Sequence, residues 1–172
     1  MGRVFIMAIT LIGLPSSGKS TLGVLLAKTL GYGFVDADLV IQERTGKLLH
    51  EIISESGAEG FIKLENDINQ TIVGGKVIIA TGGSAVYGEE AMAHFRSLGR
   101  IVYIRIPFYT LEKRLGDYSH RGVVIREGKT LRDMYDERIP LYEKYADITV
   151  DSTDTMYETV KILTEALKGQ TI

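Results

Sequence analysis

The sequence predicts an α/β fold, a parallel sheet flanked by helices in three layers, and three observations carry that prediction. Short Val/Ile-rich runs alternate with helix-period patterns along the chain, as they do when helices cover both faces of a parallel sheet. Those runs show little apolar/polar alternation, which is expected of strands buried on both sides. The first run passes directly into a Gly/Ser-rich loop ending in Lys19, and a helical pattern follows.

The elements follow in order. Strands are predicted at Val4–Gly13, Gly33–Asp36, Val77–Ala80, Ile101–Ile106 and Ile148–Val150. Lys19–Leu30 places Leu22, Leu25, Leu26 and Leu30 on one helical face. Asp38 is placed to cap a helix that stops near Gly46. In Ala58–Val73 the apolar stripe is Phe61, Leu64, Ile68 and Ile72. Further helices are predicted at Glu89–Leu98, Tyr109–Leu115, Leu131–Tyr145 and Thr153–Leu167, with Gly99 as a helix stop. Segment 116–130 is polar, contains Gly and carries Arg121, Arg126 and Lys129. A loop of that length inside a compact domain is uncommon and often functional.

Composition narrows the function classes. The 172 residues predict one domain over 1–172, large enough to fold without a disulfide or structural metal. Absence of Cys excludes thiolate metal sites and Cys nucleophiles. The balance of 20 Lys+Arg against 22 Asp+Glu argues against broad nucleic-acid binding. No run reaches the roughly 20 apolar residues a membrane span needs, and no cleavage signal follows the first apolar run, so a cytoplasmic protein is expected. Nineteen Gly beside only 3 Pro point to places where backbone approaches something closely.

Gly13-Leu14-Pro15-Ser16-Ser17-Gly18-Lys19-Ser20 fits the phosphate-loop pattern G-x-x-x-x-G-K-S/T, between a strand and a helix as the motif requires. Its successive N–H groups and the helix N-terminus suit phosphate oxygens. Lys19 suits the β- and γ-phosphates, and the Ser20 hydroxyl suits Mg²⁺. The second strand ends in Asp36-Ala37-Asp38. Ligands of open parallel sheets bind beyond the strands' carboxyl ends, so both carboxylates belong near the loop. Asp36 could hold Mg²⁺ through water; Asp38 could accept a proton from an attacking hydroxyl, orient it, or serve only as a cap. Thr81-Gly82-Gly83-Ser84 closes the third strand, either as a backbone clamp on an acceptor or as a tight turn.

These blocks, with Arg138-Ile139-Pro140-Leu141-Tyr142 and Ala146-Asp147, resemble the shikimate kinase family in order and over nearly the whole chain. The resemblance implies a nucleoside-monophosphate-kinase-like P-loop fold, with a five-stranded parallel sheet and a lid near 116–130. It implies ATP and Mg²⁺ as cofactors, with the γ-phosphate passing to a hydroxyl of a small cyclic acid, shikimate first. ATP would be held by Gly13, Ser16, Ser17, Gly18, Lys19, Ser20, Thr21 and Arg114, the last stacked on adenine. Metal association falls to Ser20 and Asp36. The acceptor falls to Asp38, Gly82, Gly83 and Arg138, which would take its carboxylate. Lys19, Asp38 and Arg121, the lid arginine, are the expected catalytic groups.

The family usually reads G-E-x-x-F-R-x-x-E where this chain has Gly57-Ala58-Glu59-Gly60-Phe61-Ile62-Lys63-Leu64-Glu65. Ile62 stands where the family has a carboxylate-binding arginine, and Lys63 points about 100° away from it around the helix. Glu65, three residues on, thereby loses an ion-pair partner. Ser84 replaces a third glycine, and Gly122, which should loosen the lid, replaces a proline. Either Arg138 carries the acceptor carboxylate alone, or the acceptor differs in shape or lacks that group. The alternatives are a kinase for a different small polyol or hydroxy acid, and an ATP-binding module without catalysis. The expected partner is a small molecule, with no nucleic acid and no membrane, and the expected state is a monomer.

Overall fold

The computed structural model describes residues 7–116 and 122–168. Five strands, β1 (Ala8–Ile12), β2 (Gly33–Asp36), β3 (Val77–Ala80), β4 (Gly99–Arg105) and β5 (Ile148–Asp151), form one sheet in the order β2-β3-β1-β4-β5, every pairing parallel. Between them run α1 (Lys19–Leu30), α2 (Ala37–Thr45), α3 (Leu49–Asn69), α4 (Glu89–Leu98), α5 (Phe108–Leu115), α6 (Leu131–Tyr145) and α7 (Met156–Lys168), with a 3-10 turn at Ala85–Tyr87.

Burial on both faces explains the uniformly apolar strands. All five residues of β1 are buried. Ala8 and Ile12 join the core under α4 and α6, whereas Ile9 and Leu11 join Leu22 and Leu26 of α1 and Leu163 of α7. Successive side chains of a strand point to opposite faces, so each layer demands an apolar residue at every second position. A third cluster joins α2 and α3 through Ile41, Ile52, Phe61 and Ile68, with Val124 added from the segment after the undescribed stretch. Among the described residues, no helix is long and apolar enough to cross a membrane.

Several predicted elements need correction. The helix expected from Ala58 begins at Leu49, and Gly57 breaks it with φ 69° and ψ 177°. The predicted portion is therefore the second of two abutting helices. Asp36, not Asp38, caps α2: its carboxylate accepts the Asp38 N–H at 3.0 Å. Gly99 does more than stop α4. It opens β4 at Ala8, and a Cβ there would lie 2.0 Å from the Ala8 carbonyl oxygen. The last helix starts at Met156, three residues later than predicted. Gly122 sits close against α3. Its φ is +63° and a Cβ would lie 2.6 Å from Leu49 Cβ, so glycine lets this segment pack down on α3. Part of the predicted first strand and the predicted lid residue Arg121 lie outside the described residues.

Candidate active site

The carboxyl ends of β1, β2 and β3 open into one cavity of about 240 Å³. Pro15, Lys19 and Ser20 line one side, and Asp38, Glu65 and Gly83 line the other. Leu115 and Val123, on either side of the undescribed stretch, also reach it.

The phosphate loop owes its shape to local backbone chemistry. Gly13 has φ +150° and stands against the Ile104 carbonyl, where a Cβ would come within 2.6 Å. Gly18 adopts φ 94° as the residue preceding α1. Ser16 is left-handed at φ 61°, a conformation rare outside glycine and often met at functional turns. Buried Lys19 folds back into the loop, donating to the carbonyls of Gly13 (2.8 Å) and Leu14 (2.7 Å) and to Ser17 Oγ (3.3 Å). Its three donor positions are thus all occupied. Burial pulls the Lys19 ammonium down to about 8; Asp38 opposes that pull and Arg138 adds to it. Arg114 Nη1 donates to the Ser16 carbonyl at 3.4 Å, tying α5 to this loop. Thr21 is exposed at the start of α1.

Ser20 Oγ donates to Asp36 Oδ2 at 2.7 Å, so hydroxyl and carboxylate share one spot beside the loop. Among the described residues, no group of three or more acidic or imidazole side chains converges as a metal cage. A hydroxyl and one carboxylate nevertheless fit Mg²⁺, which keeps several waters and takes its remaining ligands from phosphates.

The acceptor side is built by close approach. A Cβ on Gly82 would stand 2.3 Å from Glu65 Oε1 and 2.8 Å from Asp38 Oδ1. Glycine is what allows both carboxyl groups to meet this backbone. A Cβ on Gly83 would lie 2.8 Å from Pro15 Cδ and 3.2 Å from Arg138 Nη1, which links the two walls of the cavity. Tyr142 donates from Oη to the Gly83 carbonyl at 2.6 Å and stacks on Tyr103, fixing that turn from α6. Arg138, 1% exposed, donates to Tyr87 Oη (3.4 Å) and to the Val124 carbonyl, and lies over the Tyr87 ring. Its acidic neighbours in sequence are engaged elsewhere: Glu137 by Arg126 and Asp136 by Arg132.

The electrostatics separate two acids. Burial pushes Asp38 up to about 6; Asp36 adds to this and Lys19 opposes it. Burial pushes Glu65 up to about 8; the Ser84 hydrogen bond opposes this, Asp38 reinforces it, and Arg138 and Lys19 oppose it. Glu65 was not among the site residues expected from sequence. It is 1% exposed on α3, between Phe61 and Ile68 on the buried face. The available signal was an acid four residues after Phe61, at a level where the apolar stripe was assigned to Leu64. The Ala146-Asp147 block proves structural, since Asp147 Oδ2 accepts the Ile101 N–H at 2.8 Å and ties α6 to β4.

A phosphate loop and an acid-lined cavity at the carboxyl ends of a parallel sheet define a P-loop phosphotransferase. The shikimate kinase family model matches residues 15–168. A shikimate kinase of Aquifex aeolicus is 35% identical over 167 residues, covering 96% of this chain and 99% of that one. A shikimate kinase 2 of Yersinia pseudotuberculosis is 33% identical, covering 95% and 97%. The solved shikimate kinase of Acinetobacter baumannii in complex with shikimate superposes with a TM-score of 0.84 at 27% identity, covering 97% of this chain and 96% of that one. The Aquifex aeolicus structure gives 0.81 at 34% identity, covering 96% and 99%. This chain belongs to the shikimate kinase family.

Proposed function

We propose that this protein transfers the terminal phosphoryl group of ATP to a hydroxyl of shikimate. The reading is supported by one cavity that carries the phosphate loop on one wall and Asp38, Gly82 and Gly83 on the other, with Arg138 Nη1 close against Gly83. The loop N–H groups and the start of α1 receive the phosphates. Lys19 gives up its carbonyl partners and donates to the β- and γ-phosphates, an exchange helped by its buried position. Ser20 and Asp36 hold Mg²⁺, which when bound offsets phosphate charge. Arg114 secures the loop on the nucleotide side. Arg138, a buried planar fork, binds the acceptor carboxylate. Asp38 accepts the acceptor hydroxyl's hydrogen bond and orients it for in-line attack. Arg121 is the lid cation that meets the transferring phosphate, within a single domain spanning the chain.

Ile62 changes the acceptor side. It is half-buried, packs with the cluster around Phe61 and Val124, and shares a wall with Arg138 and Tyr87. Position 62 brings no cation, so the acceptor carboxylate rests on Arg138. The working form in this reading is a monomer in the cytoplasm, and light scattering after gel filtration tests the state. A coupled assay with ATP, Mg²⁺ and shikimate tests the activity, with phosphorylated shikimate identified by mass. Turnover of other hydroxy acids or polyols but not shikimate would make this a kinase for a different acceptor. ATP binding without transfer to any acceptor would make it a binding module.

A further inference from the structure

The acceptor wall holds one polar atom for which the reaction described above has no use. Glu65 Oε2 accepts from Ser84 Oγ at 2.5 Å, but Glu65 Oε1 has no hydrogen-bond partner although it is fully buried. Oε1 packs against the same glycine, Gly82, as Asp38 Oδ1, and Glu65 is among the residues that line the cavity. A buried polar atom without a partner costs about 1–3 kcal/mol, and one that borders a cavity gains a partner when a ligand enters.

We propose that Glu65 is a specificity-determining residue that works as a neutral carboxylic acid: Ser84 holds Oε2, and the Oε1 hydroxyl donates a hydrogen bond to an acceptor hydroxyl that in turn donates to Asp38. This inference rests on the shikimate kinase reading. One hydroxyl is then read from both sides, by a donor and an acceptor, and a group lacking either lone pair or proton fits poorly.

The geometry favours the neutral acid. A carboxylate at this depth needs several donors or a cation. Ser84 supplies one donor. The residue one helical turn before Glu65 is Ile62, which supplies none. Among the charged groups that face Glu65, Asp38 on α2 repels a second negative charge, while Lys19 on α1 and Arg138 on α6 attract one. Both cations have other donor commitments: Lys19 to the loop carbonyls, and Arg138 to Tyr87 and Val124. Burial outweighs their field, and the carboxyl keeps its proton to about pH 8. Ser84 and Ile62 thus form one arrangement, a hydroxyl and an apolar side chain flanking an uncharged acid.

The test is nucleotide-free shikimate binding by calorimetry between pH 7 and pH 9, for wild type and Glu65→Gln. Glutamine is the permanent analogue of the protonated acid: its carbonyl accepts from Ser84 and its amide donates from the other position. Wild-type Kd should rise about tenfold from pH 7 to pH 9 as the competent fraction falls. Glu65→Gln should bind within about threefold of wild type at pH 7 and stay flat to pH 9. Parallel loss in both proteins would overturn the inference and place the titration elsewhere, Lys19 included. Loss of binding by a folded Glu65→Gln at pH 7 would overturn it too. Ser84→Ala guards against poor folding of the glutamine variant. It should weaken shikimate binding about five- to tenfold while leaving ATP binding unchanged, and equal weakening of both ligands counts against the proposal. If neither binding nor phosphorylation of shikimate occurs at any pH, the proposed function fails. If wild type turns shikimate over but the two pH profiles coincide, only this inference fails.

Discussion

Replacing Glu65 with glutamine should also change how folding responds to pH, with no ligand present. In the folded chain Glu65 binds its proton up to about pH 8, against an ordinary value of 4.5. As pH rises from 4.5, the unfolded chain releases this proton first while the folded chain retains it. Ionisation therefore favours unfolding: stability present below pH 4.5 is lost progressively until pH 8, above which both states are ionised. Each pH unit in that window is worth about 1.4 kcal/mol. Between pH 5.5 and 7.5 wild type should lose about 3 kcal/mol relative to Glu65→Gln, an order-of-magnitude figure for a fully buried group. Urea unfolding of both proteins at the two pH values measures the difference directly, with equal m-values as the check on two-state behaviour. The same gap at both pH values would refute the reasoning, because it would mean that Glu65 is ionised in the folded state throughout.

Other perturbations should separate the walls of the cavity. Lys19→Met should lower kcat at least about a hundredfold, because a positioned cation on the transferring phosphate is lost; single-turnover transfer measures it. Tyr142→Phe removes the donor to the buried Gly83 carbonyl and should cost about 1–2 kcal/mol in urea unfolding, with a raised KM for shikimate and an unchanged KM for ATP. The kcat/KM profile should fall below about pH 6, where Asp38 takes up its proton and no longer accepts from the hydroxyl. Asp38→Asn should leave residual activity without that acid limb.

The donor wall was legible in the sequence because its chemistry is local. Gly13, Gly18, Lys19 and Ser20 are contiguous, and the turn they make depends on their own backbone conformations. Asp36 and Asp38 were legible as the end of a strand, and only the capping role passed from one to the other. The acceptor wall depends on contacts between distant segments. Tyr142 reaches Gly83 from α6, and Gly99 is demanded by Ala8 on a neighbouring strand. Neither requirement leaves a mark near the residue itself. Glu65 was legible as the acid that loses a partner to Ile62, but its place in the acceptor wall was not. Apolar periodicity assigns burial by hydrophobicity, so it put Leu64 on the inward face and gave no sign that the acid beside it is buried. The break at Gly57 likewise hid the first half of α3.

Ile62 and Ser84 were legible as separate departures from the family pattern, and the structure gives a reason to treat them as one. Both flank Glu65, Ser84 through a direct hydrogen bond and Ile62 one helical turn away. Restoring arginine at 62 places a cation beside Glu65 and favours its ionised form, while Ser84→Gly removes the hydroxyl that fixes Oε2 and that itself favours the ionised form. The effects on shikimate affinity should therefore not add. Groups that share one hydrogen-bond network typically couple by about 0.5–3 kcal/mol, whereas independent sites add to within about 0.5 kcal/mol. Binding constants for wild type, Ile62→Arg, Ser84→Gly and the double variant close the cycle. Ile62→Arg alone should tighten shikimate binding severalfold and abolish the loss of affinity above pH 8, because the acid is then already ionised and paired. Additive effects with an unchanged pH profile would mean that the two positions are unrelated substitutions around a structural acid.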